Sequence, residues 1–462
     1  MVSRIALERA LARALETGAD FAEFFMEDTV ANSITLNSGA IDAATTSRRH
    51  GAGLRLYQGL SSIYVHGTNT SPEGLMALAE QAASAILAGE NSTHIEPLCE
   101  GRARNISPIR QLPITVQPSR RAKLVHDALN AAKAEGAEIA QVNVSLADTN
   151  KKIWIANSEG LYVPDQRTYT RIRIEAVASS GTENQTGTES PGAMMGYELF
   201  EARVDVSEAA RMAARRAIAM LHAKDCPAGQ MPVVIGGGFG GVIFHEACGH
   251  SLEATAVAFG NSEFCGKMGQ RIAATCVTAI DDGTMPNEWG SLNIDDEGME
   301  TGRLVLIENG ILTNYMIDKL NARRMQMAPT GSGRRQDYTF APTSRMRNTF
   351  IAPGSDSDEE MIRTMGDGLY AKSMGGGSVI PSTGEFNFAV EEGYLVRDGK
   401  IVEPVRGATL IGKGAEVLMR IDRVGTQMRM AQGMCGSMSG SVPTNVGQPM
   451  IRVSNMTVGG RA

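Results

Sequence analysis

The segment His245-Glu246-Ala247-Cys248-Gly249-His250 carries two of the chain's 7 histidines, with a glutamate directly after the first. Imidazoles and carboxylates are the side chains that bind a borderline cation such as zinc and that move protons near neutral pH. Zinc peptidases place two histidines at i and i+4 on a helix, so that both rings face one ion and the adjacent glutamate serves as general base. Here the spacing is i+5. In a regular α-helix this turns the second ring about 140° from the first, against about 40° for i+4. A wide turn of about 4.4 residues, a π-bulge, would bring the rings back to about 50° apart. Gly249 lowers helical stability where that distortion is needed. The spacing leaves two readings open: a metal-binding pair on a distorted helix, or two unrelated histidines on a buried one.

A catalytic zinc needs a third protein ligand and an open position for water. The other histidines (His50, His66, His94, His126 and His222) all lie in the N-terminal half without ligand spacing, and read as surface or packing residues. Cys248 points away from its neighbours in the motif and reads as a small packed residue. Cys265 and Cys276 have no context. Cys435 sits in the glycine-rich run Gly433–Gly440, which could approach a metal closely, although a packed free thiol is the simpler reading of any one cysteine. Asp281-Asp282-Gly283 and Asp295-Asp296-Glu297-Gly298 lack the alternating spacing of a calcium loop and read as tight turns.

Gly236, Gly238 and Gly241 match the dinucleotide fingerprint, but a second buried strand ending in an acidic residue about 20 positions later is missing. The glycines read instead as a hinge that leaves room for backbone or substrate. Composition narrows the classes further. A net charge of −7 excludes the basic face of a nucleic-acid binder, and Arg334-Arg335 is expected to be solvated surface. No apolar run reaches the length of a membrane span, and the charged N-terminal helix is no signal peptide. Six scattered cysteines read as free thiols in a reducing cytoplasm, and the 25 methionines as core filler.

The elements that must hold these residues fall into two regions. Leu7, Leu11 and Leu15 mark a first helix stopped by Gly18, and Ser71-Pro72 opens a second that is expected to end at Gly89. Short strands are expected at Phe21–Met26, Ile34–Leu36, Leu54–Tyr57 and Ile63–Val65. After a proline-rich connector over 91–118 the order repeats. A helix capped by Ser119 is followed by strands at Val142–Leu146, Ile153–Ile155 and Ile172–Ala176, then by a helix from Ser207 to about His222. Beyond Cys226-Pro227 the chain reads as strands and turns, with hairpins at Asn309-Gly310 and Asp398-Gly399. The expected fold is α+β. Residues 1–226 form an N-terminal α+β domain with an internal repeat, and residues 227–462 a β-rich C-terminal domain that carries the histidine helix.

Taken together these stretches resemble the TldD subfamily of the TldD/PmbA proteins, zinc metallopeptidases once described as modulators of DNA gyrase. The resemblance spans nearly the whole chain and is strongest from residue 231 onward. It is carried by His245–Glu253, Asp281–Thr284, Gly290–Gly298, Leu320–Arg323, Gly333–Arg335, Arg345–Thr349, Gly384–Phe386, Pro404–Gly412 and Gly447–Met450. It implies a zinc ion (Zn2+) held by His245, His250 and Cys435, with Glu246 as the catalytic general base of a metal-assisted hydrolysis. The substrates implied are unfolded or leader-type peptides, and the assembly a homodimer or a heterodimer with a motif-lacking TldE/PmbA paralogue. Glu253, eight residues after His245, would either orient a ligand imidazole or be a surface helix residue. A β-rich half could also offer a strand edge to an extended peptide. Two other classes compete: a non-catalytic, peptide-binding regulatory partner of the same fold, and a nucleotide-dependent oxidoreductase built on the glycine loop.

Overall fold

In the computed structural model, which describes residues 3–37, 39–86, 94–380 and 383–460, the leucine spacing produces the helix Arg4–Leu15. Ser3 Oγ caps it by accepting from the Ala6 amide, and Leu7, Leu11 and Leu15 are buried on one face. The second helix runs Pro72–Ser84 behind the Ser71 cap; its expected end at Gly89 lies outside the described residues. The third helix, Pro118–Lys133, does not use Ser119 as its cap. It starts a residue earlier, with Pro118 in the first turn, where the missing amide hydrogen costs nothing. The helix expected from Ser207 runs Val206–Leu221 and is capped by Asp205, which accepts from the Glu208 amide.

The short apolar runs belong to much longer strands. Phe21–Met26 and Ile34–Leu36 are the two ends of one strand, Phe21–Asn37, and Leu54–Tyr57 closes the strand Ala40–Gln58. Val142–Leu146 and Ile153–Ile155 lie on the single strand Ile139–Asn157. These strands form one sheet in the order Ser61–Gly67, Ala40–Gln58, Phe21–Asn37, Ile139–Asn157, Leu161–Ser180. The two central strands are antiparallel, with Phe25 opposite Ile155 and Ile34 opposite Leu146.

Because side chains alternate along a strand, the two faces differ. Ala22, Phe24 and Met26 pack under the first helix pair, while Ile34 and Leu36 pack under the second. The helix–strands–helix order read twice in the sequence thus corresponds to two helix pairs on one face of a single sheet. The other face turns toward the C-terminal half, where Phe25, Ile153, Ile155 and Val163 meet Ile294 and Tyr338.

Between those apolar contacts lies a buried ionic layer that corrects one sequence expectation. Arg335, expected on the surface, is 2% exposed, and its Nη2 donates to Glu23 Oε1 at 2.9 Å. Asp296 and Glu297 lie in the expected tight turn, closed by the bridge between Ile294 and Glu300, and accept from Arg167 Nη1 at 2.7 Å and Arg55 Nη1 at 2.9 Å. Asp281 accepts from Arg347 Nε at 2.7 Å with neither side chain exposed. Burial of such charges is tolerable only when they are paired and hydrogen-bonded. Their partners lie far away in sequence, so no local pattern reveals them.

Among the described residues the C-terminal half contains two larger sheets and a two-stranded one, Gly333–Arg334 with Thr343–Ser344. In the first, Gly368–Ile380 pairs parallel with Gly229–Ile235 and antiparallel with Glu385–Arg397. Together with Ile451–Gly459 and Thr409–Lys413, these pairings close a ring of strands. The second has the order Ile311–Leu312, Arg303–Glu308, Ala279–Asp282, Asn348–Ile351, Gly440–Gln448, Arg429–Ser437. Both expected hairpin turns occur, with positive φ at Asn309 (48°) and Asp398 (47°) and at the glycine after each. Among the described residues, no helix is long and apolar enough to cross a membrane.

Candidate metal centre

The strand Gly229–Ile235 delivers the chain into the glycine run and then into the histidine segment. Its neighbours are one parallel and one antiparallel strand, unlike the βαβ unit of a dinucleotide site. The glycines serve close packing of backbone on backbone. A Cβ at Gly241 would lie 2.6 Å from the backbone of Gly447, on the strand that pairs with the one carrying Cys435. The hinge therefore presses the start of the histidine segment against the cysteine hairpin.

The segment itself changes pitch. Val242–Phe244 is α-helical, His245–Gly249 is a π-helical turn, and His250–Leu252 is a 3₁₀ turn. The His250 amide donates to the His245 carbonyl, five residues back, which is the wide turn that the i+5 spacing requires. Gly249 is needed there for space as well, since a Cβ would meet Met346 Sδ at 2.3 Å. Phe244, Ala247, Cys248 and Leu252 are buried in the main C-terminal core, which fixes the helix in rotation.

The consequence is that both imidazoles converge on one sulfur. Cys435 Sγ lies 3.3 Å from Nε2 of His245 and 3.3 Å from Nε2 of His250. The ring centroids are 5.1 Å apart at an interplanar angle of 81°. All three donor atoms fall within 4.8 Å of one another. Tetrahedral zinc with ordinary Zn–N and Zn–S lengths places adjacent N and S donors about 3.5 Å apart. Two nitrogens and one thiolate sulfur therefore match both the spacing and the donor preference of such a site.

Neighbouring groups tune these donors. Burial raises the Cys435 thiol, but His245 and His250 outweigh it and bring its pKa down to about 3, so that the thiolate is the favoured form. Burial disfavours a charged His250 ring, yet the Glu253 carboxylate and Cys435 together push its pKa well upward. Glu253 Oε2 lies 3.1 Å from His250 Nδ1, which directs Nε2 toward the sulfur. Glu253 is buried, not a surface helix residue. Glu246 is partly exposed, and its Oε2 lies 3.6 Å from His250 Nε2, beside the donor cluster. The Cys248 thiol is fully buried in apolar surroundings, and burial pushes its pKa up. Cys265 and Cys276 donate to the Val257 and Ile421 carbonyls, outside the cluster.

Cys435 lies on Arg429–Ser437, the last strand of its sheet. A cavity of about 1180 Å³ runs along this strand as far as Met434, the residue before Cys435. Its walls are mixed in charge, with Arg171, Arg216, Lys372 and Glu391 among them. One buried residue at the centre, Arg345, had no role in the sequence reading. The only local signal is the density of arginines from Arg334 to Arg347.

Comparison with known proteins shows the family and the fold. Family models described as PmbA/TldA metallopeptidase domain 1, central domain and C-terminal domain match residues 22–86, 111–221 and 228–460. The chain is 35% identical to a metalloprotease TldD homolog of Buchnera aphidicola subsp. Schizaphis graminum, over 96% of this chain and 93% of that one. It is 34% identical to the metalloprotease TldD homolog of Haemophilus influenzae, over 96% and 93% of the two chains. A relative from Saccharolobus solfataricus named a zinc metalloprotease TldD homolog is 32% identical over 63% of this chain and 64% of its own. The fold is shared with the crystal structure of TldE from Thermococcus kodakarensis (TM-score 0.78, 18% identity, 98% of this chain and 99% of that one).

Proposed function

Since the chain belongs to the PmbA/TldD family of metallopeptidases, we propose that it hydrolyses unfolded or leader-type peptides with a zinc ion held by His245, His250 and Cys435. The observation that carries this reading is the convergence of two imidazole Nε2 atoms, each 3.3 Å from the Cys435 sulfur, with the Glu246 carboxylate beside them. Zinc bound by these donors would polarise a peptide carbonyl and acidify a water in its open position. The chain's own residues do the rest. Glu246, beside His250 Nε2 and partly open to solvent, is placed to take a proton from an attacking water and to return it to the leaving amine. Glu253 holds the His250 ring by its Nδ1 and fixes the nitrogen that faces the metal. The strand Arg429–Ser437 lies at a sheet edge, where an extended peptide can be gripped through its main chain with little regard for sequence.

The reading includes a cytoplasmic location, supported by the six cysteines, all of which are free thiols. It also includes assembly as a homodimer or with a motif-lacking TldE/PmbA-type paralogue, supported by the fold shared with TldE. The net charge of −7 argues against nucleic acid as a partner. The test is Glu246→Gln. The variant should retain about one zinc per chain by metal analysis and lose cleavage of an unfolded peptide; turnover at the parent's rate would remove Glu246 as the base.

A further inference from the structure

The segment Arg345–Arg347 touches both parts of the donor set. Arg345 has no exposed side-chain surface. Its Nη1 donates to Ser439 Oγ at 3.0 Å and to the Gly440 carbonyl at 2.8 Å, and its Nη2 donates to the Cys435 carbonyl. These acceptors define the bend of the hairpin that carries Cys435. On the other side, Nε lies 3.8 Å from Glu253 Oε1. The second oxygen of that carboxylate holds His250 Nδ1 at 3.1 Å. The next residue reinforces the link, since the Met346 amide donates to Glu253 Oε1 at 3.3 Å and the Met346 side chain occupies the space beside Gly249. One planar guanidinium is therefore hydrogen-bonded to the cysteine hairpin and faces, across 3.8 Å without a hydrogen bond, the carboxylate that orients a histidine.

A guanidinium is suited to this task because its donors form a rigid fork, so that fixing one acceptor fixes the direction of the others. Lysine keeps the charge but offers a single nitrogen on a flexible stem, and cannot bond the three hairpin acceptors while keeping its charge beside the Glu253 carboxylate. We propose that Arg345 is a positioning residue that sets the separation of Cys435 and His250, so that metal affinity depends on a side chain that does not bind the metal. This rests on the metal-centre reading given above.

The experiment compares the purified parent chain with Arg345→Lys and Ser439→Ala. Zinc affinity is measured by competition with a chromophoric chelator, the cobalt-loaded proteins supply the thiolate-to-metal and ligand-field bands, and circular dichroism establishes folding. Folded Arg345→Lys should bind zinc roughly 10- to 100-fold more weakly, the range expected when a partner behind the ligands is lost, with displaced cobalt bands. Ser439→Ala should show a smaller loss in the same direction. Folded Arg345→Lys with the parent's affinity and cobalt spectrum would overturn the proposal. Should that variant not fold, Ser439→Ala decides: weaker zinc binding supports the proposal, and an unchanged affinity and spectrum overturn it. A parent chain that binds neither ion overturns the metal-centre reading, and this inference with it.

Discussion

Two buried polar clusters in the C-terminal half invite comparison. In the ionic layer, Asp281, Asp296 and Glu297 are each matched by a guanidinium, from Arg347, Arg167 and Arg55 respectively. In the donor cluster, two imidazoles and a thiol turn their ligand atoms toward one another. The first cluster is closed by its own counter-charges: the Arg167–Asp296 and Arg55–Glu297 pairs join the N-terminal sheet to the rest of the chain, and Arg347–Asp281 ties the C-terminal half to itself. The second converges lone pairs on a single point, a geometry that satisfies a cation better than it satisfies the side chains themselves. Burial and polarity are alike in the two. The difference lies in where the donors aim, and that separates a structural network from a reactive centre.

The comparison can be broken from either side. The largest expected effect is in the donor cluster: Glu246→Gln should lower peptide hydrolysis by about 10²- to 10⁴-fold, the contribution usual for a positioned base, with the unfolding midpoint unchanged. In the ionic layer the expectation reverses. Asp281→Ala leaves Arg347 buried without its carboxylate and should destabilise the fold by about 3–5 kcal/mol in urea titration. Its folded fraction should keep the parent's zinc content. Loss of zinc from folded Asp281→Ala would show that the two clusters are not separable.

A smaller effect is expected at the support of the donor cluster. Glu253→Gln should weaken zinc binding by about 10-fold or more without abolishing it, measured by chelator competition. The smallest concerns pH. Burial, with Asp318 and Asp295 nearby, pushes the Glu297 carboxyl up to about 8 despite Arg55. Its folded pKa therefore lies above its unfolded one, so the native state binds the proton more tightly. The resulting stability is fully present below about pH 4 and is lost as pH rises through about 8. Urea titrations at pH 5.5 and 8.5 should show a smaller fall in stability for Glu297→Gln than for the parent. An equal fall would mean that Arg55 keeps the carboxylate ionised throughout.

Legibility in the sequence follows the same division. The i+5 spacing of His245 and His250, with Gly249 between them, encodes the π-turn because helical geometry is a local property. Asn309-Gly310 and Asp398-Gly399 encode their hairpins for the same reason. Cys435 could be flagged by its glycine-rich surroundings but not assigned, since its distance from His245 is set by tertiary packing of Gly241 on Gly447. In the ionic layer the tight turn at Asp295–Gly298 is legible, but its burial and that of Arg335 are not. Arg335 and Asp296 look like surface residues because their partners, Glu23 and Arg167, lie on strands of the other half. The same burial hid the long strands, whose polar odd-numbered residues such as Glu23 and Glu27 face this layer instead of solvent. Arg345 was missed because its acceptors lie on a hairpin some 90 residues away and the carboxylate it faces is that of Glu253.

The most direct test of the central claim is the zinc stoichiometry of the purified chain and of Cys435→Ala, by elemental mass spectrometry after dialysis against a weak chelator. The account predicts about one zinc per parent chain and a large loss in the variant, because the sulfur is one of the three protein donors that meet at this point among the described residues. A parent chain without zinc, or a variant that holds it as well as the parent, would contradict it.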